Sequence, residues 1–467
     1  MGGIIGCTGK GDCVVDLFYM TDYLSHLGTS KAGMAVKNGD GLHRIIHNLR
    51  SSYFRSKFES ELPKFKGRTG IGAISDFESQ PILVNSHLGE FGLVTVSKIN
   101  NNIELTKRAL QKGQSFSEIS IDGVNPTELV AKLINEKETF AEGIEYAQTM
   151  IKGSCTMILI FENELYAARD KLGRTPLIIG KKDGAYAISS ETCAFPNLGF
   201  TTEKEIGPGE IIKVTADGYE QLKKPGNKMQ VCSFLWVYYG YPASTYEGVN
   251  VEDARYKCGA ELARNDDVVV DFVGGIPDSG IAHGIGYANA RGLAYKRPYV
   301  KYTPTWPRSF MPQDQSVRDL VARMKLIPIK ELVDGQRILF CEDSIVRGTQ
   351  LQENVQVLFD LGAKEVHMRP ACPTLIYPCE FLNFSQSRST SDLAGIRAIH
   401  KLIGKEDVDL SRFAITDSDE NLAMIDEIRK SLKLTSLKFQ GLNNLVRAIG
   451  LSKEKLCTHC WDGSSYF

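Results

Sequence analysis

The chain has 467 residues, which at about 150 residues per domain suggests about three units. Lys plus Arg number 55 against 56 Asp plus Glu, a formal net charge of −1, with 42% apolar and 24% charged residues. These figures exclude a disordered chain and a generally basic nucleic-acid binder, though not a local basic patch. The strongest apolar run, around Val268–Ile276, is strand length and falls short of the ~18 residues of a membrane span. The start, M-G-G-I-I-G-C-T-G-K, has no basic region followed by a long apolar one, so no secretory signal is expected. Gly6 stands where a myristoylation signal carries Ser or Thr. The expectation is a soluble, cytoplasmic protein with neither membrane nor nucleic acid among its partners.

Along the first half, to about Gly226, strand-rich segments alternate with helices. Pro126 and Thr127 open the amphipathic pattern Glu128–Asn135, with Pro near the helix start. Met150–Phe161 and Glu164–Ala168 flank Glu162-Asn163, and Leu177–Ile179 and Ala185–Ile188 flank Lys181–Gly184, two hairpin patterns. Hairpins with helices between them favour an α+β layered unit. Gln221–Lys228, with Lys223, Lys224, Pro225 and Gly226, is the best boundary. The second half has another grammar. The valine-rich run Val268–Val273 leads into G-G-I-P-D-S-G and the helix pattern Ala282–Arg291; Arg337–Cys341 leads into Glu342-Asp343, a turn and the helix Leu351–Leu361; Gly362 stops that helix before the strand Glu365–Arg369. This βαβ alternation implies a parallel sheet whose loops gather at the carboxyl ends of its strands.

The segment Arg337–Gln350, R-I-L-F-C-E-D-S-I-V-R-G-T-Q, carries most of the chemistry. A strand delivers Glu342 and Asp343 to its end, and Ser344, Ile345, Val346, Arg347, Gly348 and Thr349 form a turn into a helix start. Backbone amides there, with Ser344 and Thr349, suit a phosphate. The two acids suit sugar hydroxyls and positive charge developing on a ribose. The plainer reading is an acidic N-cap and an ordinary turn; two acids beside S-I-V-R-G-T count against it.

On these residues the sequence resembles the type I phosphoribosyltransferases, and over nearly its whole length the amidophosphoribosyltransferase family. Asp278, Ser279 and Gly280, in G-I-P-D-S-G, match that family's pyrophosphate loop. Lys301–Pro312 takes the place of its active-site loop and keeps Lys301 and an Arg-x-Phe step at Arg308–Phe310; Arg318–Pro328 and Leu361–Arg369 also look like family text. The resemblance implies an N-terminal-nucleophile-type αββα glutaminase-like domain (1–226), a type I phosphoribosyltransferase parallel-sheet domain (227–435) and a C-x-x-C tail (436–467). It implies a Mg²⁺-pyrophosphate held near Asp278, Ser279, Glu342 and Asp343, with Ser279, Glu342 and Asp343 as metal contacts and Lys301 and Arg308 closing over it. Ammonia would attack the ribose as pyrophosphate leaves, giving 5-phosphoribosylamine for purine biosynthesis. The family's first acid is usually Asp; Glu342 is one methylene longer, which alters its reach. Lys301 and Arg308 also admit the reading of solvated charges in a Pro-rich loop.

The N-terminal half resembles the family's glutaminase domain in Arg169-Asp170 through Pro176-Leu177 and in Gly207-Pro208-Gly209-Glu210. That chemistry needs a processed N-terminal cysteine whose thiolate attacks the amide while its α-amine acts as base. The family begins Met-Cys-Gly-Ile; this chain begins Met1-Gly2-Gly3-Ile4. The family's glutamine clamp is replaced by Gly72-Ala73-Ile74-Ser75-Asp76, its oxyanion step falls near Val96-Ser97, and its amine-binding aspartate falls near Pro126. Glutaminase activity is therefore not expected, and free ammonia or an external ammonia donor is. Cys7 and Cys13 read as packing thiols.

Eleven cysteines is an unusual count without a secretory context, and most read as buried packing thiols, but Cys457 and Cys460, spaced C-x-x-C in a short polar tail, do not. Some family members bind a [4Fe–4S] cluster through four cysteines, and Cys232, Cys379, Cys457 and Cys460 match all four contexts. Thiolates in this number suit either a cluster or structural zinc, and spacing does not choose. His459 reads as packed or solvated, and Cys372 is the rival to Cys379. Trp236, Tyr238, Tyr239 and Tyr241 read as interface packing. Two other functions remain open on the sequence: a catalytically silent sensor of phosphoribosyl pyrophosphate or nucleotides that regulates a paralogue, and a transferase with another acceptor. Homo-oligomers are implied by the resemblance alone.

Overall fold

The computed structural model describes residues 2–50, 52–120, 123–302, 326–382 and 392–465. The first half is two antiparallel sheets packed face to face. One runs in the order Thr201–Glu205, Ile178–Lys182, Ala185–Ser189, Gly2–Gly9, Thr69–Ser75, Lys31–Asn38, Gly41–Asn48. The other runs Gly218–Lys223, Ile211–Thr215, Glu164–Ala168, Gly153–Phe161, Gly89–Ile99, Ile82–Ser86. Period-2 alternation sends Ile4, Ile71, Ile158, Ile160 and Ile212 into one buried layer between them. The helix Val14–Tyr23 covers the outer face of the first sheet, and Pro126–Ile134 and Phe140–Met150 cover that of the second. This is an αββα sandwich.

Both expected hairpins form. Phe161 pairs with Glu164 across Glu162-Asn163, with Glu162 at φ 49°. The second turn is tighter than the sequence suggested, because Lys182 pairs directly with Ala185. Asp183-Gly184 supplies the two-residue turn that matches strand twist.

In the second half, Phe272–Gly275, Arg337–Glu342, Glu365–Pro370 and Ser436–Leu437 form a parallel sheet in that order. Val251–Ala263 and Gly280–Arg291 pack together on one side. Thr349–Asp360, Ala394–Ile403 and Asp419–Ser431 bury their apolar stripes on the other. The valine run expected as a strand from Val268 enters the sheet only at Phe272, where Ile338 becomes its partner. Ahead of that point Val269 is 65% exposed, and Asp271 is occupied by the Arg337 main-chain N–H and guanidinium.

The halves meet through the segment after Met229. Val231–Cys232 pairs in parallel with Leu456–Cys457, so the tail returns to the exit of the sandwich. Phe234 stacks on Trp461 at 5.0 Å. The buried Glu191 carboxylate accepts from the Tyr246 hydroxyl at 2.6 Å and the Tyr241 amide at 3.2 Å. Trp236 is buried, and Tyr238 and Tyr239 pack against the same core, as interface residues do.

Candidate functional site

The Arg337–Glu342 strand ends among polar side chains drawn from two loops. The Ile276 amide donates to the Cys341 carbonyl at 3.0 Å, which holds the loop 276–280 against the strand end. A Cβ on Gly280 would stand 2.4 Å from that same oxygen. Only glycine permits the approach, and it brings Ser279 to Asp343: the Ser279 hydroxyl donates to one carboxylate oxygen and the Ser344 hydroxyl to the other. Asp343 is 6% exposed. Glu342 is half-buried, and its carboxylate accepts the Asp343 amide at 3.0 Å. Burial first, and the adjacent Asp343 charge second, push its ionisation well above the usual carboxylate range. The Pro277–Asp278 peptide is cis.

Lys301 ends the strand Tyr299–Lys301, and its ammonium contacts the Asp278 carboxylate. Both side chains are largely exposed, so the contact contributes little to stability but sets a cation beside the loop. Arg308 lies outside the described residues. Ile345 is a core residue. The Val346 carbonyl accepts the Ala394 amide at 2.8 Å, and the Arg347 carbonyl accepts the Arg397 guanidinium. Gly348, at φ 76°, is the N-cap of Thr349–Asp360, and no side chain caps that helix. Nor does one cap Gly280–Arg291, because Ser279 is turned to Asp343. Asn125, Thr139, Asn250 and Ser418 cap other helices with side-chain oxygens, while Val14–Tyr23, Asn102–Gln111 and Ala394–Ile403 are likewise uncapped. The two helices at this sheet edge thus keep first-turn amides for an anion. Sequence reasoning missed Arg255, a buried cation whose guanidinium donates to the carbonyls of Trp236, Tyr238 and Gly240 and whose charge reaches Asp343. Nothing local marks it, since it lies in an ordinary helix pattern.

The start of the chain is built differently. Gly2 pairs with Ser75, and a Cβ there would stand 2.8 Å from the Ile74 main-chain oxygen. A small cavity lies beside it between Ser75, Glu78, Thr95, Ser97 and Leu382. Gln80 fills the neighbourhood: its amide oxygen accepts the Thr95 amide at 2.6 Å, and its amide nitrogen donates to the Thr95 carbonyl and to Glu78 at 3.0 Å. Val96 and Ser97 lie in a regular ladder with Thr156 and Cys155. Pro126 is the first residue of its helix, capped by Asn125, and Glu128 is engaged by the amides of Ser117 and Glu118. Cys7 and Cys13 touch each other inside the core.

Cys232 and Cys457 are register partners, Cys379 and Cys460 share a thiol hydrogen bond, and the charges of these pairs reach each other. The Leu382 amide donates to the Cys379 sulfur at 3.3 Å. Among the described residues no three His, Cys, Asp or Glu side chains stand in the arrangement of a formed metal centre. Cys372 faces Trp461 and Cys258 instead, and His459 packs edge-on to Phe381. No helix among the described residues is long and apolar enough to cross a membrane.

A family model described as a glutamine amidotransferase domain matches residues 68–197. The amidophosphoribosyltransferase of Bacillus subtilis is 29% identical over 99% of this chain and 93% of its own length. That of Methanocaldococcus jannaschii is 30% identical over 96% of this chain and 93% of its own. The structure of glutamine phosphoribosylpyrophosphate amidotransferase from B. subtilis, complexed with ADP and GMP, superposes with a TM-score of 0.85 at 28% identity, covering 99% of this chain and 97% of that one. The sandwich and the parallel sheet are therefore the N-terminal-nucleophile-type and type I phosphoribosyltransferase folds of those enzymes. By sequence and by fold, over almost its full length, the chain belongs to the amidophosphoribosyltransferase family.

Proposed function

We propose that this chain forms 5-phosphoribosylamine from phosphoribosyl pyrophosphate in purine biosynthesis and takes its nitrogen from ammonia, free or handed over by an external donor, not from glutamine of its own. The observation that carries the reading is Gly2. It bears no nucleophile, and the Ile74 oxygen 2.8 Å from its Cβ position leaves no room for one. Thr95 and Glu78, which line the small cavity beside it, are tied to each other through Gln80. The transferase edge, by contrast, brings Ser279, Asp343 and Ser344 together and sets Lys301 beside Asp278. In this reading the amides of Ser344 to Thr349 receive the 5-phosphate, Asp278, Ser279 and Gly280 receive the pyrophosphate, and Glu342 and Asp343 accept from the ribose hydroxyls. Lys301 and Arg308 offset charge on the departing pyrophosphate. Units 1–226, 227–435 and 436–467 divide this work, in a cytoplasmic homo-oligomer.

Two metal groups belong to the reading. Ser279, Glu342 and Asp343, already bonded to one another, are oxygen donors of the type Mg²⁺ prefers, and the ion supplies electrostatic stabilisation of the leaving group. The four cysteines fit a tetrathiolate centre in donor chemistry: they come from three places in the chain, three are buried, and a main-chain amide already points at one sulfur. A [4Fe–4S] cluster is the preferred occupant and zinc the alternative; either ties the tail to both halves.

The test is pyrophosphate release from phosphoribosyl pyrophosphate with ammonium or glutamine as the nitrogen source. Release with ammonium alone supports the reading. Release with glutamine from pure protein contradicts the nitrogen source, and no release under either condition contradicts the transferase.

A further inference from the structure

The sandwich persists although Gly2 carries no nucleophile, and it meets the transferase half through a buried carboxylate. Glu191 follows the strand Ala185–Ser189 and ends among donors from the junction 241–246. Its oxygens accept the Tyr246 hydroxyl at 2.6 Å, the Ser244 hydroxyl at 3.2 Å and the Tyr241 amide. Beside it the Thr192 hydroxyl accepts the Thr245 amide at 2.9 Å. From the sandwich side, the His26 ring lies 3.1 Å from the same carboxylate and the Cys193 thiol donates to it at 3.4 Å. Burial raises the ionisation of Glu191, but His26 and the junction donors more than offset it, so the group lies below the ordinary carboxylate range and holds its charge.

What Glu191 grips leads to the edge that carries Asp278, Ser279 and Gly280. The Ser244 and Pro242 carbonyls accept from the Asn250 side chain at 3.1 and 3.2 Å, and Asn250 caps Val251–Ala263 by accepting the Asp253 amide. From that helix the buried Arg255 reaches back to the Trp236, Tyr238 and Gly240 carbonyls. The Val237 carbonyl between them accepts from the buried His283 ring of Gly280–Arg291 at 3.1 Å. The two helices touch backbone to backbone. A Cβ on Gly259 would stand 2.0 Å from the His283 carbonyl oxygen, and one on Gly286 2.1 Å from that of Tyr256. Packing this close has low compressibility and passes a displacement on. The helix Gly280–Arg291 starts at the loop whose Ser279 reaches Asp343.

Resting on the transferase reading above, we propose that Glu191 is a positioning residue for the transferase. Through the junction 241–246, Arg255 and His283, it sets where the helix Gly280–Arg291 begins, and so where the loop 278–280 meets the pyrophosphate of the substrate. It acts through these groups and not on the substrate, and the sandwich serves as the fixed anchor. Because the loop holds pyrophosphate before and during its departure, a displaced loop loses binding in both states. Such a loss raises KM and leaves kcat nearly unchanged.

The experiment follows ammonium-dependent pyrophosphate release in full-length wild type, Glu191→Gln, Glu191→Asp, Tyr246→Phe and the control Ile158→Val, which loosens the sandwich core away from the junction. All are assayed below the onset of unfolding seen by circular dichroism. The expected result is a KM for phosphoribosyl pyrophosphate about tenfold higher in E191Q, with kcat within about threefold of wild type. E191D keeps the charge but is one methylene short, and should fall between E191Q and wild type. Y246F should show a smaller rise and I158V none. A KM for folded E191Q within about twofold of wild type overturns the inference while leaving the transferase reading intact. An equal rise in I158V overturns it too, since general loosening would then suffice. No release from wild type overturns both. Should E191Q fail to fold, E191D and Y246F decide by the same KM, and unchanged values in both overturn the inference.

Discussion

Gly2 and Gly280 are both barred from carrying a side chain by a main-chain oxygen, Ile74 at 2.8 Å in one case and Cys341 at 2.4 Å in the other. The regions around them use that bar in opposite ways. At Gly280 the missing Cβ lets a loop close on the strand end, so that Ser279 reaches Asp343 and two helix starts remain uncapped. Close approach there makes a site. At Gly2 the same kind of approach leaves strand backbone paired to Ser75, and in the proposal above that closes the position where the family carries its nucleophile. Glycine content alone does not separate the two; what lies opposite does.

The comparison can be broken most forcefully at the transferase edge. Asp343→Asn removes the carboxylate that both serine hydroxyls address, and ammonium-dependent pyrophosphate release should fall by about 10²–10³, with circular dichroism unchanged. Activity near wild type would remove the site from this edge. The next largest effect concerns Gly2→Cys. Restoring the family's residue should create no glutaminase, since Gly72–Asp76 stands where the family carries its glutamine clamp, and should destabilise by about 1–3 kcal/mol through overpacking. Denaturant melts and a glutamate-release assay read the two halves of that statement, and gained glutaminase would show that only the thiol was missing.

An effect smaller than that of Asp343→Asn is expected for Ser279→Ala, which deletes one hydrogen bond to a charged group, about 1.5–3 kcal/mol, and should weaken substrate binding more than the maximal rate. Glu342 gives the smallest effect, visible only against pH. Its ionisation is raised in the fold, so in acid it is protonated in folded and unfolded states alike and imposes no penalty. As pH rises through the raised value, the folded state must hold a charge it resists, and stability falls. Glu342→Gln should therefore leave the melting temperature unchanged near pH 4 and raise it near pH 9. An equal shift at both would assign its effect to packing.

Much of this was legible along the chain because it is local. The strand, two acids, turn and helix of Arg337–Gln350 follow from a periodicity and a helix start, and the Phe161–Glu164 hairpin follows from its two-residue turn. The absence of a thiol at position 2 needed only reading. What escaped is long-range. The bond from Ser279 to Asp343 joins residues 64 apart in sequence, the Ile74 oxygen over Gly2 depends on strand register, and Cys232 meets Cys457 only after the tail folds back. Val268 to Val270 misled for the same reason: their β-propensity is real, but a strand needs a partner, and pairing begins at Phe272.

The nitrogen source separates the sealed region from the open one in a single measurement. The purified chain is given phosphoribosyl pyrophosphate, glutamine labelled with ¹⁵N in its amide and unlabelled ammonium together, and the isotope in the trapped phosphoribosylamine is read by mass spectrometry. Product carrying only unlabelled nitrogen is the predicted result; ¹⁵N in the product would contradict it.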